Sequence, residues 1–246
     1  MKKIMLFFYS FYFFPAAIIA LIYGYIQMKR ALKIANRDGF DAAQEFIRRK
    51  SPAFARICFT LFGIHPEIKD AEKIPMDENF IVVMNHQSFL DPMLLLGYLT
   101  PDIFLLAKEE LEKIPFYKEA MQLFCITIDR NNPSKAVKSL RRILEFLKNG
   151  KKIGIFPEGT RSIDGSLGKF AEGSLKIAYK SKKKVIPVLI DGSGDAMPKG
   201  SWIVRPAKVT ALVTDSVNAK DFNTFEEYEE FIRCQMEKGL KTIRNQ

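Results

Sequence analysis

The sequence predicts an α/β fold: a mainly parallel sheet flanked by helices on both faces, with an N-terminal helical membrane anchor. Two observations lead to this prediction. From residue 80 onward, short β-branched apolar runs alternate with helix-like segments, which is typical of parallel strands joined by crossover helices. Near the start of the chain, residues 4–26 form an apolar stretch that no charged residue interrupts. This stretch is long enough to span a bilayer.

Length and charge narrow the class of protein. The chain has 246 residues and a formal net charge of +10, enough length for one sizeable core with an attached segment. Much of the positive charge lies in residues 1–50, around the apolar stretch. A basic excess suits nucleic acid, anionic lipid or a phosphorylated ligand, and the apolar stretch favours lipid. We therefore expect an anionic phospholipid membrane, and no nucleic acid, among the partners.

The predicted anchor comprises residues 1–62, and the α/β domain comprises residues 63–246. The apolar segment 4–26 has Pro15 near its centre, which would kink a helix. Basic residues follow the segment without a small-residue cleavage pattern, so we expect it to be retained. The same basic residues predict that the remainder lies on the cytoplasmic face of the cell membrane.

A second helix is predicted at about residues 39–62. Its apolar residues recur at helical spacing, and basic residues fall mostly between them, as in helices that lie on anionic lipid. An ordinary helix facing the protein core is the alternative. We favour a two-helix anchor held against one leaflet over one full membrane span.

Each element of the α/β region has its own sequence signal. Strands are predicted at the short apolar runs 80–84, 103–107, 125–128, 153–156, 185–190 and 209–213. Helices are predicted at 91–99, from 115 to about 124, from 133 to the stop at Gly150, near 172–181, and from Thr224 onward. Thr224 and Glu227 have the spacing of a capping box.

Residues 80–91 combine a strand, a polar loop and a helix start. His86 follows the strand, and Asp91 precedes Pro92, as is favoured at a helix N-terminus. Asp91 can turn back and accept a hydrogen bond from the His86 ring, which fixes the tautomer and makes the ring a better base. We therefore predict a general base with an orienting carboxylate. The alternative is a helix N-cap beside a loop histidine.

Polar groups follow the carboxyl ends of several predicted strands, where parallel sheets bind their ligands. The groups are His86, Lys108, Arg130 and the loop at residues 157–162. Cationic side chains gathered beside a base predict a site for an anionic substrate. For Lys108 and Arg130, a solvated charged stretch and an ordinary turn are the alternatives.

The loop at residues 157–162, Pro-Glu-Gly-Thr-Arg-Ser, has more functional character than a simple turn requires. Gly159 lets the backbone approach a ligand closely. Arg161 offers a planar fork that matches phosphate. Glu158 can order that fork or accept a hydrogen bond from a ligand hydroxyl.

The motifs NHQSFLD at 85–91 and FPEGTRS at 156–162 together resemble those of the glycerolipid acyltransferase family, most closely the 1-acylglycerol-3-phosphate acyltransferases. The H-x4-D pattern alone is weak, whereas its combination with the second motif at this separation is specific. The segments CITIDR at 125–130 and VIPVL at 185–189 resemble two further blocks of the family. At residues 123–125 the chain has Leu-Phe-Cys where many members carry glycine.

This resemblance implies transfer of a fatty acyl group from a thioester to the sn-2 hydroxyl of lysophosphatidic acid, giving phosphatidic acid for phospholipid synthesis. It implies that His86 is the general base and that Asp91 orients it. It also implies an acceptor-binding set: Arg130, Glu158, Gly159, Thr160 and Arg161. We add Lys108 to this set from the strand-end argument.

The chemistry expected from the residues agrees with this resemblance. A thioester is already activated, so the acceptor hydroxyl can attack it directly, with base catalysis worth about 10²–10⁴-fold. The sequence has no G-x-S-x-G nucleophile elbow. The three cysteines are far apart, without metal or redox spacing, and we expect reduced thiols. We expect no metal ion and no cofactor apart from acyl carrier protein or coenzyme A, whose acyl thioester is the co-substrate.

Two alternatives remain at this point. The first is an acyltransferase for another acceptor, such as glycerol 3-phosphate or a different lysophospholipid. The second is a non-catalytic membrane protein that binds phospholipid through its basic surface.

Overall fold

A computed structural model gives the fold and describes residues 2–113, 121, 123–128 and 133–245. The side chains of residues 2–10, 113 and 133–137 are outside this description. The helix predicted from 115 to about 124 lies mostly outside the described residues, and Arg130 lies outside them altogether.

Among the described residues, eight strands form one sheet. The strands are β1 Ile64–Lys69, β2 Ile81–Met84, β3 Ile103–Lys108, β4 Cys125–Ile128, β5 Lys152–Ile155, β6 Lys184–Asp191, β7 Ala207–Val213 and β8 Val217–Asn218. Their order is β1-β7-β6-β2-β5-β3-β4, and β8 pairs with β6. The five strands from β6 to β4 in this order are mutually parallel. Strand β7 is antiparallel to β6 and parallel to β1, so the prediction of a mainly parallel sheet is confirmed.

Helices cover both faces of this sheet. They are α1 Lys2–Asp38, α2 Phe40–Leu61, α3 Asp91–Leu94, α4 Pro133–Lys148, α5 Lys176–Ser181, α6 Ser193–Ala196 and α7 Phe225–Arg244. A π-helical turn, Leu95–Leu99, continues α3. Phe80, Val82 and Met84 pack in the core that contains α2 and α3, whereas Ile81 and Val83 pack in the core that contains α4 and α7. Because both faces are buried, β2 is apolar throughout rather than alternating.

The predicted strands occur where the apolar runs placed them, within two residues. The capping box of α7 is also confirmed, since Thr224 Oγ1 accepts from the Glu227 backbone N–H at 3.2 Å and Glu227 Oε2 accepts from the Thr224 N–H at 3.4 Å. Strands β1 and β8 were not predicted. Strand β1, with the sequence IHPEIK, is an edge strand that is mostly only partly buried, so it has no continuous apolar run.

Helices α1 and α2 pack against each other in antiparallel directions. The rings of Phe13 and Phe62 lie 5.6 Å apart, and those of Tyr23 and Phe54 lie 5.9 Å apart. Gly39, with φ +94°, joins the two helices.

The apolar face of α2 contacts protein rather than solvent. Phe59 stacks on Tyr98 at 5.6 Å, and a Cβ added to Gly97 would lie only 2.5 Å from the Cβ of Ala55. The core-facing alternative therefore describes this face of α2.

The exposed apolar surface of the N-terminal region lies instead on α1. Its large exposed side chains include Phe11, Phe14, Ile18, Leu21 and Ile22. Within the described part of the chain, Phe11–Asp38 is the one helix that is long and apolar enough to cross a membrane, judged by length and composition alone. Apolar exposure on this scale supports association of the chain with a membrane.

Candidate active site

The site begins where β2 leaves the sheet. The Asn85 side chain donates from Nδ2 to the Ile190 carbonyl at 2.7 Å and accepts from the Ile190 N–H through Oδ1 at 2.7 Å. These two bonds imitate one more pair of the β2–β6 ladder, whose last backbone pair is Met84 with Val188. Asn85 therefore fixes the point at which the next residue, His86, turns out of the sheet.

His86 is held by a buried carboxylate. Its Nδ1 lies 2.8 Å from Asp91 Oδ2, and the Asp91 side chain is completely buried while that of His86 is 16% exposed. Because an ionised carboxylate only accepts hydrogen bonds, Nδ1 carries the proton and Nε2 has the free lone pair. This is the tautomer that a general base requires.

The Asp91 carboxylate binds the backbone of the loop after His86 as well as the His86 ring. Its Oδ2 also accepts from the backbone N–H groups of Gln87 at 2.7 Å and Ser88 at 2.8 Å. These amides precede the aspartate in the chain, and the residue in the N-cap position of α3 is Leu90, which makes no side-chain cap. The carboxylate therefore acts on the histidine loop, and the simple N-cap alternative does not describe it.

The second oxygen of Asp91 is bound by a residue that follows another strand. Ser193 Oγ donates to Asp91 Oδ1 at 2.5 Å, and Ser193 is fully buried at the start of α6, just after β6. Gly192 makes the turn between β6 and α6 with φ +85°, and a Cβ there would lie 2.3 Å from the Lys208 carbonyl oxygen. Both oxygens of Asp91 are thus satisfied, so the carboxylate has a single orientation.

The loop at residues 156–162 meets the histidine directly. The Phe156 ring stacks on the His86 ring at 4.1 Å with an interplanar angle of 27°. The Ser162 N–H donates to the His86 carbonyl at 2.7 Å, and the His86 N–H donates to Glu158 Oε1 at 2.9 Å. The two sequence motifs, about 70 residues apart in the chain, therefore form one site.

Both oxygens of Glu158 bind backbone groups of the protein. Oε1 accepts from His86, and Oε2 accepts from the Gly168 N–H at 2.7 Å. The carboxylate is buried, and this burial raises its pKa above the ordinary value even though the two N–H groups favour the charged form. Glu158 thus ties the loop to the histidine, and its contact with an acceptor stays a prediction.

Replacing Glu158 with glutamine should alter the pH dependence of stability. With its pKa raised, the wild-type carboxyl binds a proton more tightly in the folded state. The wild type therefore loses stability as the pH rises from the ordinary glutamate pKa of about 4.3 through the raised value. Glu158→Gln does not titrate, so its free energy of unfolding relative to wild type should increase as the pH rises through this window.

Denaturant unfolding at a series of pH values measures this difference. Glu230→Gln, at an exposed position on α7, is the matched control. A relative stability of Glu158→Gln that is independent of pH would contradict the prediction. The rate of catalysis should fall in Glu158→Gln, because the side-chain NH2 of the glutamine must face one of the two backbone N–H groups that now bind the carboxylate.

The remaining residues of the loop form a cationic rim. Gly159 has φ +65° and donates its N–H to the Phe156 carbonyl at 3.1 Å. The Arg161 guanidinium carbon lies 3.8 Å from the centre of the Phe89 ring. Lys199 donates to Thr160 Oγ1 at 3.0 Å and to the Arg161 carbonyl at 2.9 Å, which adds a second cation that the sequence did not indicate.

Lys108 is less closely associated with the histidine. It is the last residue of β3, which is separated from β2 by β5. Its side chain therefore starts from the same edge of the sheet as His86, two strands away, and is exposed. The acceptor-binding roles of Lys108 and of Arg130 stay predictions.

Sequence reasoning missed a group of bracing residues around Gln87. Gln87 Nε2 donates to Asp191 Oδ1 and to the Gly165 carbonyl, both at 3.2 Å. Arg244 Nη2 reaches the same two groups at 2.8 Å and 2.7 Å. Asp191 is the last residue of β6 and Ser193 follows two residues later, so the strand-end rule could have found them. Arg244, near the end of the last helix, gave no comparable signal.

The cysteines do not offer an activated nucleophile in this arrangement. Burial raises the pKa of the Cys125 thiol and that of the Cys58 thiol to about 12. Both sulfurs are therefore protonated at neutral pH and react poorly. Cys234 is exposed on α7, on the helical layer rather than in the histidine loop.

These observations define the class of protein. A histidine base held by a buried aspartate, beside a cationic loop at the carboxyl edge of a parallel sheet, suits an enzyme that removes a proton from an anionic acceptor. The comparisons with known proteins give the family.

The chain belongs to the acyltransferase family, whose sequence model matches residues 65–191. It is 36% identical over 160 residues to the chloroplastic 1-acyl-sn-glycerol-3-phosphate acyltransferase of Arabidopsis thaliana, with 63% of this chain and 45% of the relative covered. It is 32% identical over 160 residues to the 1-acyl-sn-glycerol-3-phosphate acyltransferase of Pseudomonas aeruginosa, with 64% of this chain and 61% of the relative covered. The chain thus spans about half the length of these two relatives.

A solved structure is similar over the whole chain. The crystal structure of the 1-acyl-sn-glycerophosphate (LPA) acyltransferase PlsC from Thermotoga maritima matches with a TM-score of 0.82 and 33% identity, covering 100% of this chain and 99% of that one. The predicted fold class and family are therefore confirmed.

Proposed function

We propose that the protein transfers a fatty acyl group from a thioester donor to the sn-2 hydroxyl of lysophosphatidic acid, giving phosphatidic acid for phospholipid synthesis. The observation that carries the proposal is the meeting of the His86–Asp91 pair with the loop at residues 156–162. The loop that binds the His86 backbone also carries Arg161 and contacts Lys199. These two cations suit an acceptor with a phosphate group. The names of the relatives support the choice of acceptor.

The reaction needs only this chain and its two substrates. His86 Nε2 takes the proton of the acceptor hydroxyl while the hydroxyl oxygen forms a bond to the thioester carbonyl carbon. The carbon–sulfur bond then breaks, and the leaving thiolate receives the proton from His86. Asp91 stabilises the imidazolium that forms between these proton transfers. The donor is the acyl thioester of acyl carrier protein or of coenzyme A.

The acceptor-binding residues have separate tasks in this proposal. Arg161 provides a bidentate fork for the phosphate, and Gly159 and Thr160 place the backbone and a hydroxyl nearby. Glu158 holds the loop in this position. Lys108, at the end of β3, and Arg130, two residues after β4 in the chain, add positive charge.

Attachment to the membrane gives the site access to its lipid substrate. We infer that residues 1–62 anchor the chain and that residues 63–246 carry the activity on the cytoplasmic face of the cell membrane. The exposed apolar side of α1 supports this attachment, and the basic residues after the apolar segment support the orientation.

A panel of acceptors tests the proposed substrate. The full-length protein is assayed with one acyl donor and with lysophosphatidic acid, lysophosphatidylcholine, lysophosphatidylethanolamine or glycerol 3-phosphate. A charge-assisted hydrogen bond contributes about 1.5–3 kcal/mol, so kcat/KM should favour lysophosphatidic acid over the choline ester by roughly tenfold or more. A preference for glycerol 3-phosphate or for a zwitterionic lysophospholipid would overturn the choice of acceptor.

The variant Arg161→Lys makes this test more specific, because lysine keeps the positive charge but lacks the planar guanidinium that matches a phosphate. It should raise KM for lysophosphatidic acid by roughly tenfold, as expected when one charge-assisted bond is lost. Arg141→Lys, at an exposed position on α4, is the matched control and should behave as wild type. An unchanged KM in Arg161→Lys would remove Arg161 from the acceptor site.

A further inference from the structure

Apolar side chains are exposed next to the active-site rim. Trp202 is 69% exposed, Ile203 is 49% exposed and Ile163 is 87% exposed. Trp202 and Ile203 belong to the segment between α6 and β7, residues 197–206. Ile163 follows Ser162, whose N–H binds the His86 carbonyl. Single exposed apolar residues are common, but here a tryptophan and two isoleucines are exposed on two segments that Lys199 joins at the active-site rim, which suggests a partner.

Ring contacts connect Trp202 to the active-site loop. The Trp202 ring stacks on Phe89 at 5.9 Å with an interplanar angle of 23°. Phe89 also contacts the Arg161 guanidinium, at 3.8 Å from the ring centre. The tryptophan is therefore exposed and yet has a defined position relative to Arg161.

Backbone hydrogen bonds give this segment its own structure. The Ser201 N–H donates to the Pro198 carbonyl at 3.0 Å, and the Arg205 N–H donates to the Ala196 carbonyl at 2.8 Å. Lys199 connects the same segment to the loop through Thr160 and Arg161. The segment is thus a built turn that presents Trp202 and Ile203 outward.

One end of the segment adjoins the α1–α2 pair. Phe13, which lies between the exposed Phe11 and Phe14, contacts Phe62 at 5.6 Å. A Cβ added to Gly63, the residue after Phe62, would lie 3.1 Å from Pro206. The end of the segment therefore adjoins the α1–α2 pair near the exposed apolar surface of α1.

The positive charges beside Trp202 and Ile203 suit an anionic membrane. Lys199 and Arg205 are exposed on either side of Trp202 in the segment. Tryptophan is enriched at the level of the lipid headgroups, and flanking lysine and arginine attract anionic lipids. We propose that residues 198–205, together with Ile163, form a second membrane contact at the rim of the active site, in which Trp202 and Ile203 insert to headgroup depth in an anionic phospholipid bilayer.

This contact would orient the rim towards lipids in the bilayer, whereas α1 alone would hold the chain at the membrane. The use of this membrane contact in catalysis rests on the proposed function. The insertion of Trp202 and Ile203 does not rest on that function, because it can be measured on the protein without any turnover.

Trp202 is the only tryptophan of the chain, so its fluorescence reports this segment alone. The full-length protein is reconstituted into vesicles of equal parts phosphatidylcholine and phosphatidylglycerol, with bromine at shallow, middle or deep positions of the acyl chains. We expect a blue-shifted emission, strongest quenching by the shallow bromines, and protection from iodide in the water.

Several results would overturn the proposal. Emission that iodide quenches freely and bromolipids do not would place Trp202 in water. Strongest quenching by the deep bromines would place it in the hydrocarbon core. Protection from iodide that is lost when the vesicles carry a single protein molecule would identify a second copy of the chain as the partner.

Ile203→Ser keeps the fluorescent probe and removes a neighbouring apolar side chain. It should weaken quenching by the shallow bromines and reduce the blue shift. Phe231→Ser, at an exposed position on α7 that is 50% exposed, is the matched control and should leave both unchanged. Equal quenching in Ile203→Ser and wild type would exclude insertion of Ile203. Because no activity is read, failure here is distinct from failure of the proposed acyl transfer.

Discussion

Replacing His86 with alanine should lower the rate of acyl transfer by about 10²–10⁴-fold, the usual contribution of a general base. The variant removes Nε2, the atom that receives the hydroxyl proton. The fold should persist, because the backbone bonds from His86 to Glu158 and Ser162 do not depend on the imidazole. Release of the free thiol from the donor measures the rate, and circular dichroism measures the thermal midpoint.

The chain provides a matched control for this experiment. His65 is the other histidine, exposed on the edge strand β1 and separated from β2 by two strands. His65→Ala should retain the wild-type rate. Full activity in His86→Ala would refute the role of His86 as the base. Absence of acyl transfer in the wild type itself would favour the non-catalytic alternative.

Asp91→Asn should also reduce the rate by about 10²–10⁴-fold, because a neutral amide stabilises the charged form of His86 much less than the carboxylate does. The amide has nearly the same shape. Its oxygen can keep accepting from Gln87 and Ser88, and its NH2 can face Ser193 Oγ. The loss should therefore appear in kcat with only a small change in the thermal midpoint.

Asp91→Ala separates catalysis from stability. It leaves the Gln87 and Ser88 N–H groups and the buried Ser193 hydroxyl without their acceptor. An unsatisfied buried group costs about 1–3 kcal/mol, so denaturant unfolding should show a clear loss of stability that Asp91→Asn does not share. Asp221→Asn, at an exposed aspartate, controls for the change of charge. Wild-type kcat in Asp91→Asn would show that the aspartate is only structural.

Local signals explain why much of the fold was predictable. Apolar runs, helix caps and glycine stops act within a few residues, and they located β2 to β7 and the start of α7. The His86–Asp91 pair was predictable for the same reason, since the two residues are five apart on one loop. Strand β1 was not predictable, because an edge strand needs no continuous apolar run.

The face of α2 shows the limit of pattern reasoning. An amphipathic helix with a basic side has the same sequence whether its apolar face meets lipid or protein. Contacts of Ala55 with Gly97 and of Phe59 with Tyr98 determine that this face meets protein. The large apolar side chains left exposed on α1, such as Phe11 and Leu21, show where lipid can bind.

By itself, the sequence determined the class of sheet, the histidine–aspartate pair and the apolar segment near the N-terminus, because each depends on residues that are neighbours in the chain. Only the tertiary structure decided that Glu158 binds the His86 N–H, that Ser193 completes the hydrogen bonds of Asp91 and that Phe89 contacts both Trp202 and Arg161. These contacts depend on strand order and register, which place β6 and β5 on either side of β2. Strand order is set by packing of the whole core, so no local pattern in the sequence encodes it.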